Sequence, residues 1–318
     1  MSTEWIPQIQ SAIDEWASVH SPGLKLQDME VHWRHHKKGL IAVSKDKNLV
    51  LKIFLDPKDK TRLEHEGNNL ELFQGSPFAE HVPEYRGSGT TSNGAFWLLT
   101  DFCPDPSFEG KRNIEKFLLK HMDKYFYPAM TKLYTYHGFK TYAATEYLKN
   151  AKVRLEDHPS KDKLTSLMTL IENELKKFPK YHVVETHIHH DLHRGNILTG
   201  EGRLTIIDWE GMIRGLVLVD VFDFPKRFIK KNKIAEMIFN LYLKNILKGP
   251  PCLVKSFFKD YRKWAQTEFA AEVPEGSEKV SFMLYVLERS LNTWEGRKVD
   301  RLANKKDFEY KMLKSLGI

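Results

Sequence analysis

The sequence is poor in cysteine and has no long run of apolar residues. Its 318 residues include two cysteines, Cys103 and Cys252, which give neither a disulfide framework nor the spacing of a metal site. No segment approaches the roughly 18 to 20 consecutive apolar residues that a membrane-spanning helix needs. The N-terminus also lacks the basic and apolar blocks of a signal peptide. With 41% hydrophobic and 29% charged residues, the composition predicts a globular protein of the reducing cytoplasm.

Acidic residues are too few to balance the basic ones, and the imbalance is local. The formal net charge is +7 and the isoelectric point is about 9.1. Residues 224–318 hold 20 Lys or Arg against 11 Asp or Glu, a surplus of nine positive charges, so the rest of the chain is nearly neutral. A nucleic-acid-binding function would rest on this charge alone. We therefore expect no nucleic-acid partner.

The most informative stretch of the sequence is residues 188–210. Residues 196–198 and 204–207 have the pattern of short β-strands, and the glycine-rich residues 200–203 between them predict a tight hairpin. Such a hairpin would bring Asn196 and Asp208 to the same end of the strand pair.

A third polar residue, Asp191, lies five residues before Asn196 on the loop that leads into the hairpin. The order Asp191, Asn196, Asp208 suits phosphoryl transfer. One carboxylate orients the attacking hydroxyl, while an amide oxygen and a second carboxylate hold Mg²⁺ on the nucleotide phosphates. Zinc is an alternative, because four histidines stand nearby: His187, His189, His190 and His193. The oxygen set suits Mg²⁺ better.

The residue types in this segment are more specific than their spacing. His-His-Asp-Leu-His-Arg-Gly-Asn-Ile-Leu followed by Ile-Ile-Asp-Trp-Glu resembles the aminoglycoside phosphotransferase and choline kinase family. Protein kinases have Arg before the catalytic aspartate and Phe-Gly after the metal-binding one, where this chain has His190 and Trp209. The resemblance implies an α+β, protein-kinase-like bilobal fold. We expect a β-rich nucleotide-binding lobe at 1–102 and a large, mainly helical catalytic and substrate-binding lobe at 103–318.

The resemblance also implies roles for these residues. Asp191 would be the catalytic carboxylate that accepts or orients the substrate hydroxyl. Asn196 and Asp208 would coordinate the Mg²⁺ that bridges the phosphates of ATP. His189 is expected to order the loop, and Glu210 would face the same side as Asp208. ATP and Mg²⁺ are thus the expected cofactors.

Lys52 stands inside the apolar run 49–54, and a lysine in such a strand needs a partner charge. The helix expected at 59–73 offers Glu64, Glu66 and Glu71. Glu66 matches the family position, and Glu64, two residues away, cannot share its face. The resemblance assigns Lys52, held by Glu66, to the α- and β-phosphates.

Residues 95–102 predict a strand that ends in a polar pair. They resemble the last strand of the small lobe and the hinge after it. The backbone carbonyl of Asp101 and the backbone amide of Cys103 would then contact adenine. Pro104 and Pro106 stiffen the passage to the second lobe.

Two positions depart from the kinase pattern or leave a choice open. The loop 34–39 has no G-x-G-x-x-G, and Gly39 stands alone; Lys37 and Lys38 could supply phosphate-binding charge, or the loop could be a solvated hairpin tip. An aspartate after the metal ligand commonly braces the catalytic loop in this family. Asp220 is the candidate and Asp223 the alternative.

The remaining segments are predicted to be mostly helical. An amphipathic helix at 4–18 is expected to pack on the protein body, although a partner-binding or peripheral membrane role stays open. Further helices are expected at 113–124, 128–148, 161–178, 231–248, 252–271, 278–295 and 302–316.

These observations predict an ATP- and Mg²⁺-dependent phosphotransferase acting on a hydroxyl of a small molecule such as a sugar or amino alcohol. A protein kinase and a nucleotide-binding scaffold without catalysis are the alternatives. The basic region after the catalytic segment predicts a neutral or anionic acceptor rather than a polycationic aminoglycoside. That region begins with five basic residues: Lys226, Arg227, Lys230, Lys231 and Lys233. They could equally form a solvated outer face.

Overall fold

A computed structural model describes residues 6–20, 29–34, 39–46, 48–104, 122–193, 195–200, 203–223, 252–304 and 307–318. The chain forms two compact units. The first unit consists of Met1–Glu109 together with Gly195–Met212, and the second consists of Gly110–Arg194 together with Ile213–Ile318. The lobe boundary expected after residue 102 stays a prediction. Outside the described residues lie the tip of the loop 34–39, the helix expected at 231–248, and the basic residues from Lys226 to Lys233.

The first unit contains a five-stranded antiparallel sheet in the order β1-β2-β3-β5-β4. Its strands are β1 (Met29–Arg34), β2 (Gly39–Ser44), β3 (Leu49–Phe54), β4 (Tyr85–Thr90) and β5 (Phe96–Asp101). Helices α1 (Ile6–His20) and α2 (Pro57–Phe73) accompany the sheet. Asp56 caps the start of α2 by accepting a hydrogen bond from the backbone N–H of Lys58, and Pro57 suits the first helical turn.

The first helix covers part of the core of this unit. Ile13 and Trp16 are buried together with Leu51 and Trp97 of the sheet. The Trp16 and Trp97 ring centroids are 6.3 Å apart. The amphipathic stripe predicted near the N-terminus therefore packs against the protein body, as expected.

Strand β4 is not evident from sequence, because its glycines suggest turns. Gly89 faces the Trp97 indole so closely that a Cβ there would lie 3.1 Å from Trp97 Nε1. Gly87 has φ +150°, and the register of the β4–β5 pair shifts between Tyr85 and Gly87. Glycine is needed here because the backbone passes directly over a large aromatic ring.

The first unit also contains the hairpin of β8 (Ile197–Gly200) and β9 (Arg203–Ile206). A short 3₁₀ turn, Trp209–Gly211, follows it. Trp209 is fully buried, with its ring centroid 4.8 Å from that of Phe73 and 5.5 Å from that of Phe78. This aromatic contact anchors the hairpin beside the end of α2.

The second unit combines helices with a three-stranded antiparallel sheet in the order β10-β7-β6. Its strands are β6 (Lys140–Ala143), β7 (His182–Ile188) and β10 (Ile213–Leu216). Its labelled helices are α3 (Tyr127–His137), α4 (Ala144–Arg154), α5 (Lys161–Leu175), α6 (Cys252–Phe269), α7 (Glu278–Arg297) and α8 (Phe308–Ser315). One turn of π-helix, Met122–Phe126, precedes α3, and another helix begins at Leu218. No helix in the described part of the chain is long and apolar enough to cross a membrane.

The prediction of a single helix at 128–148 is wrong. The chain forms α3, then strand β6, then α4. Gly138 has φ +71°, which ends α3, and β6 then pairs antiparallel with β7 from Lys140↔Glu185 to Ala143↔His182. Four residues are too few to show a strand period, so tertiary pairing decides their conformation.

Candidate active site

The partly buried Lys52 of strand β3 has the partner expected from the sequence. Lys52 Nζ donates hydrogen bonds to both carboxylate oxygens of Glu66, at 2.8 Å and 2.7 Å. Glu64 and Glu71 are exposed, whereas Glu66 is buried on the face of α2 that carries Leu63, Leu70 and Phe73. Burial acts against the charged lysine, but Glu66 and then Asp208 outweigh it and raise the pKa of Lys52. Lys52 therefore remains a cation at neutral pH.

Asp208 lies beside this ion pair. Its Oδ1 atom is 3.6 Å from Lys52 Nζ, and its side chain is 40% exposed while that of Glu66 is 5% exposed. Asp208 has the left-handed backbone conformation φ 69°, ψ 57°, which is uncommon outside glycine and costs on the order of 1–3 kcal/mol. Such conformations persist only where surrounding contacts fix them.

Two hydrogen bonds fix the turn that follows Asp208. The side-chain amide of Asn69, on α2, donates to the backbone carbonyl of Trp209 at 2.9 Å. The indole N–H of Trp209 donates to the carbonyl of Ile206, also at 2.9 Å. The helix that carries Glu66 thus also holds the residue directly after Asp208.

The register of the hairpin puts Asn196 opposite Ile207, the residue before Asp208. Ile197 pairs with Ile206, and the backbone N–H of Ile207 donates to the carbonyl of Asn196 at 2.9 Å. Asn196 and Asp208 therefore flank the same end of the β8–β9 pair. Asn196 is buried, and Glu210 lies 4.0 Å from the guanidinium of Arg62.

The donor set at this end of the hairpin fits a hard cation. An amide oxygen and a carboxylate are oxygen ligands of the kind that Mg²⁺ takes alongside phosphate oxygens and water. Lys52, next to Asp208, is a cation suited to nucleotide phosphates. Within the described residues, no group of three or more His, Cys, Asp or Glu side chains could hold a metal ion.

The residues predicted to read adenine lie at the end of β5. The backbone N–H of Asp101 donates to the Glu84 carbonyl at 3.0 Å, and that of Phe102 donates to the Asn48 carbonyl at 2.8 Å. The carboxylate of Asp101 pairs with the Arg86 guanidinium at 2.6 Å and 3.0 Å. Cys103 is half-buried. These bonds fix the course of the backbone through 101–102.

In the second unit, Asp191 follows the end of β7. The buried carboxylate of Asp220 accepts hydrogen bonds from the backbone N–H groups of His189, at 2.8 Å, and His190, at 2.9 Å. The Tyr134 hydroxyl donates to the same carboxylate at 3.0 Å. Burial raises the pKa of Asp220, opposed by His189 and by these donors. The brace expected from the family resemblance is thus formed by Asp220.

His189 also contacts the loop that it precedes. Its buried Nδ1 atom accepts a hydrogen bond from the backbone N–H of Asp191 at 3.3 Å. This contact fits the ordering role expected for His189. His190, between them, has φ 65°. Like Asp208, it has a left-handed backbone conformation, and it directly precedes the predicted site residue Asp191.

A buried arginine on α7 also reaches the loop. Arg289 Nη1 donates to the backbone carbonyl of His190 and lies 2.6 Å from Asp223 Oδ2. Its Nη2 atom lies 3.9 Å from Asp191 Oδ1. The Tyr285 hydroxyl donates to the other oxygen of Asp223 at 2.6 Å. Asp223, the alternative brace, therefore pairs with Arg289 and Tyr285.

Sequence reasoning missed two residues of these clusters, Asn69 and Arg289. Each acts on a partner far away in the chain: 140 residues separate Asn69 from Trp209, and 99 separate His190 from Arg289. Glu288 and Arg289 interrupt the mostly apolar residues 280–291 of α7, and charges there need partners, which was the one available signal. It did not identify the partner.

The chain has a protein-kinase-like fold, with a β-rich first unit and a mainly helical second unit. The model of a phosphotransferase enzyme family matches residues 126–246, a segment that includes Asp191, Asn196 and Asp208. This match confirms the resemblance predicted from the motif. No curated protein matches the chain in sequence.

Solved structures support the same fold over nearly the whole chain. Choline kinase LicA from Streptococcus pneumoniae has 16% identity and a TM-score of 0.52, with 98% of this chain and 99% of that one covered. A putative aminoglycoside phosphotransferase from Ralstonia eutropha has 15% identity and a TM-score of 0.53, covering 96% and 93%. A thermostable mutant of aminoglycoside phosphotransferase APH(4)-Ia, in complex with ADP and hygromycin B, has 12% identity and a TM-score of 0.56, covering 97% and 98%.

Proposed function

We propose that the protein is an ATP- and Mg²⁺-dependent phosphotransferase that moves the γ-phosphate to a hydroxyl of a small molecule. The observation that carries this proposal is the cluster in the first unit. Lys52 is bound by both oxygens of Glu66 and lies 3.6 Å from Asp208, which flanks the same hairpin end as Asn196. The family match covers the segment with the other catalytic candidates.

Each residue has a distinct role in this proposal. Lys52 binds the α- and β-phosphates, and Glu66 holds its ammonium group in place. The oxygens of Asn196 and Asp208 hold Mg²⁺, which when bound neutralises charge on the phosphates. Asp191 orients the acceptor hydroxyl and receives its proton. The backbone at Asp101 and Cys103 binds the adenine edge.

The chain after Asp208 argues against a protein kinase. The 3₁₀ turn Trp209–Gly211 leads within two residues to β10, and the helix carrying Asp220 begins two residues after that strand. All of these residues are described, and they leave no room for an activation segment of the protein-kinase type. A small-molecule acceptor needs no such peptide-binding platform.

A scaffold without catalysis is also less well supported. Such a protein has no use for a complete catalytic set, yet this chain has Lys52, Asp191, Asn196 and Asp208. Asp208 is moreover held in a strained backbone conformation by bonds to the neighbouring turn. Strain maintained in this way is typical of functional sites.

The acceptor is proposed to be neutral or anionic, for example a sugar or a carboxylated metabolite. The support is the surplus of nine positive charges in residues 224–318, because like charges slow encounter and weaken binding of a polycation. Steady-state turnover of choline, glucose, gluconate and kanamycin, followed by ADP release at low and moderate salt, tests this choice. Efficient phosphorylation of kanamycin or choline, with little activity on the sugars, would overturn it.

Nucleotide binding can be tested without knowing the acceptor. A ligand that binds only the native state stabilises it, by about 2.7 kcal/mol at a concentration of 100 times its Kd. The melting temperature rises as a result. We expect Mg-ATP to raise the melting temperature of the wild-type protein and to have a much smaller effect on Asp208→Ala. An equal shift in both proteins, or none in wild type, contradicts the assignment.

A further inference from the structure

We propose that Arg289 is a positioning residue for Asp191, acting through the backbone of His190 and through its own positive charge. This inference rests on the proposed function, because it concerns the carboxylate that would orient the acceptor hydroxyl. Arg289 comes from helix α7, far from the motif in sequence. Its guanidinium contacts three points of the second unit: the His190 carbonyl, Asp223 and Asp191.

The first part of the argument is the backbone of His190. This residue has φ 65°, a left-handed conformation that a bulky side chain adopts only when its surroundings impose it. Its N–H is bound by Asp220, at 2.9 Å, and its carbonyl is bound by Arg289. The peptide groups on both sides of the strained residue are therefore fixed. The direction in which the chain enters Asp191 depends on both contacts.

The second part is the balance of charge around the guanidinium. The Arg289 side chain is 5% exposed, so an unpaired charge there would be strongly destabilising. Asp223, Tyr285, Glu309 and Asp191 surround it electrostatically, and together they outweigh burial and raise the pKa of Arg289. Asp223 alone could neutralise the cation, at 2.6 Å. The additional reach towards Asp191 is not required for neutralisation.

The third part is geometry. Asp191 Oδ1 lies 3.9 Å from Arg289 Nη2, which is an ion-pair distance, and the Asp191 side chain is 22% exposed. The buried guanidinium of Arg289 thus attracts the Asp191 carboxylate on one side. The exposed part of the carboxylate remains accessible to an acceptor. A planar guanidinium can hold a carbonyl and carboxylates at fixed angles, which the single ammonium group of lysine cannot reproduce. Arg289 therefore contacts both the backbone carbonyl of His190 and the carboxylate of Asp191, the next residue.

The same helix provides a matched control. Glu288, the neighbour of Arg289, is buried and accepts hydrogen bonds from Arg154 Nη1 and from the Tyr147 hydroxyl, both at 2.7 Å. Arg154 is thus a second guanidinium paired with α7, with its side chain 26% exposed, and its partners do not include residues 189–191. Arg154→Met measures the general effect of breaking an arginine pair at this helix.

The test compares Arg289→Lys, Arg289→Met and the double variant Arg289→Met with Asp223→Asn, which also removes the charge of the buried carboxylate 2.6 Å from the guanidinium. Turnover is measured as ADP release from Mg-ATP with whichever of choline, glucose, gluconate and kanamycin the wild-type protein phosphorylates fastest. Misplacing a catalytic group by about 1 Å can lower the rate by roughly 100-fold. We expect kcat to fall about 10- to 100-fold in all three variants. We expect KM for Mg-ATP to stay within about twofold, because Lys52, Asn196 and Asp208 are intact.

Amide hydrogen exchange at residues 189–191 provides a readout that does not need turnover. It should become faster in the Arg289 variants and stay unchanged in Arg154→Met, which should also keep its kcat. Equal losses of kcat in Arg154→Met and in the Arg289 variants, or unchanged exchange in the double variant, would overturn the inference. A wild-type protein that binds Mg-ATP but phosphorylates no acceptor contradicts the proposed function instead, and exchange alone then decides the role of Arg289.

Discussion

The strained residue Asp208 depends on a side chain that is not itself part of the predicted metal site. Its left-handed conformation is followed by the carbonyl of Trp209, which accepts a hydrogen bond from Asn69. Asn69 lies on α2 three residues after Glu66, so one turn of helix serves both Lys52 and Asp208. The positions of Lys52 and of Asp208, the carboxylate proposed to bind the metal, are therefore coupled through α2.

We expect Asn69→Leu to weaken Mg-ATP binding although it removes no predicted ligand. The change keeps the side-chain volume but leaves the Trp209 carbonyl without this donor, which should cost about 1–3 kcal/mol of stability. The Mg-ATP-induced rise in melting temperature should be smaller than in wild type. Gln74→Leu is the control, because Gln74 makes the same type of bond, from its amide to the Leu70 carbonyl, at the exposed end of the same helix. Equal shifts in both variants would contradict the role of Asn69.

Asp191→Asn should separate chemistry from nucleotide binding. The substitution keeps the shape of the side chain and removes the charge that is proposed to receive the hydroxyl proton, so kcat should fall by roughly 10²–10⁴. The Mg-ATP-induced rise in melting temperature should persist, because the predicted nucleotide ligands are unchanged. Wild-type turnover by a variant that binds Mg-ATP normally would assign the catalytic role to another group.

At the scale of secondary-structure elements, the junction of α3 with β7 contains a pair of histidines. The His137 and His187 ring centroids are 4.8 Å apart. Burial of the ring, and then the nearby His187, lower the pKa of His137 to about 4 from its ordinary value of 6.5. In the folded protein His137 is therefore neutral between these two pH values, whereas in the unfolded chain it takes up a proton.

His137→Gln should reduce the loss of stability in mild acid. Because the unfolded state binds the extra proton, the free energy of unfolding falls as the pH falls from 6.5 to 4, and the contribution is fully present above pH 6.5. Because the ring is only half-buried and solvent screens its charge, the variant should avoid a loss of roughly 1 kcal/mol at most in the free energy of unfolding. Urea unfolding at pH 7.5 and pH 4.5 measures it. The exposed His65→Gln is the control and should lose as much stability as wild type.

Elements with a clear residue pattern could be predicted from the sequence, and elements defined by their partners could not. The periodic stripe of α1, the apolar run of β3 and the β8–β9 strand pair were all identified near their observed positions. Strand β4 was missed because Gly87 and Gly89 make room for Trp97. Strand β6 was missed because four residues following a helix pattern show their strand character only when paired with β7.

The same division applies to the candidate site. Lys52, Glu66, Asn196 and Asp208 could be placed together because the order of motifs along the chain implies the fold. The contacts of Asn69 and Arg289 could not, because a single amide or guanidinium in a helix has no pattern that names its partner. The conformations of His190 and Asp208 likewise arise from tertiary contacts that a local sequence does not encode.

For the molecule as a whole, the main feature is that the first unit is built from two separate pieces of chain. Met1–Glu109 supplies the sheet and α2, while Gly195–Met212 supplies the β8–β9 hairpin and Trp209. Trp209 packs on Phe73 and Phe78, and the Leu204 carbonyl lies 2.9 Å from Nδ1 of His81. The sheet-bearing piece alone would expose this aromatic surface.

We expect a fragment of residues 1–109 to be much less stable than the same fragment joined by a flexible linker to residues 195–212. Loss of a buried Trp contact typically costs about 3–5 kcal/mol, a large part of the stability of a small unit. Thermal unfolding followed by circular dichroism compares the two fragments. The joined fragment with Trp209→Ala should behave like residues 1–109 alone. Equal melting of the intact joined fragment and residues 1–109 would show that the hairpin contributes little.

The divided first unit also sets the timing of folding during translation. Residues 110–194 must leave the ribosome before the segment that completes the aromatic contact is available. At about 5–20 residues per second, synthesis from residue 109 to residue 212 takes roughly 5–20 s. During this interval Phe73 and Phe78 lack the indole of Trp209. Nascent chains arrested before residue 209 should therefore bind chaperones more strongly than chains in which the β8–β9 hairpin has emerged.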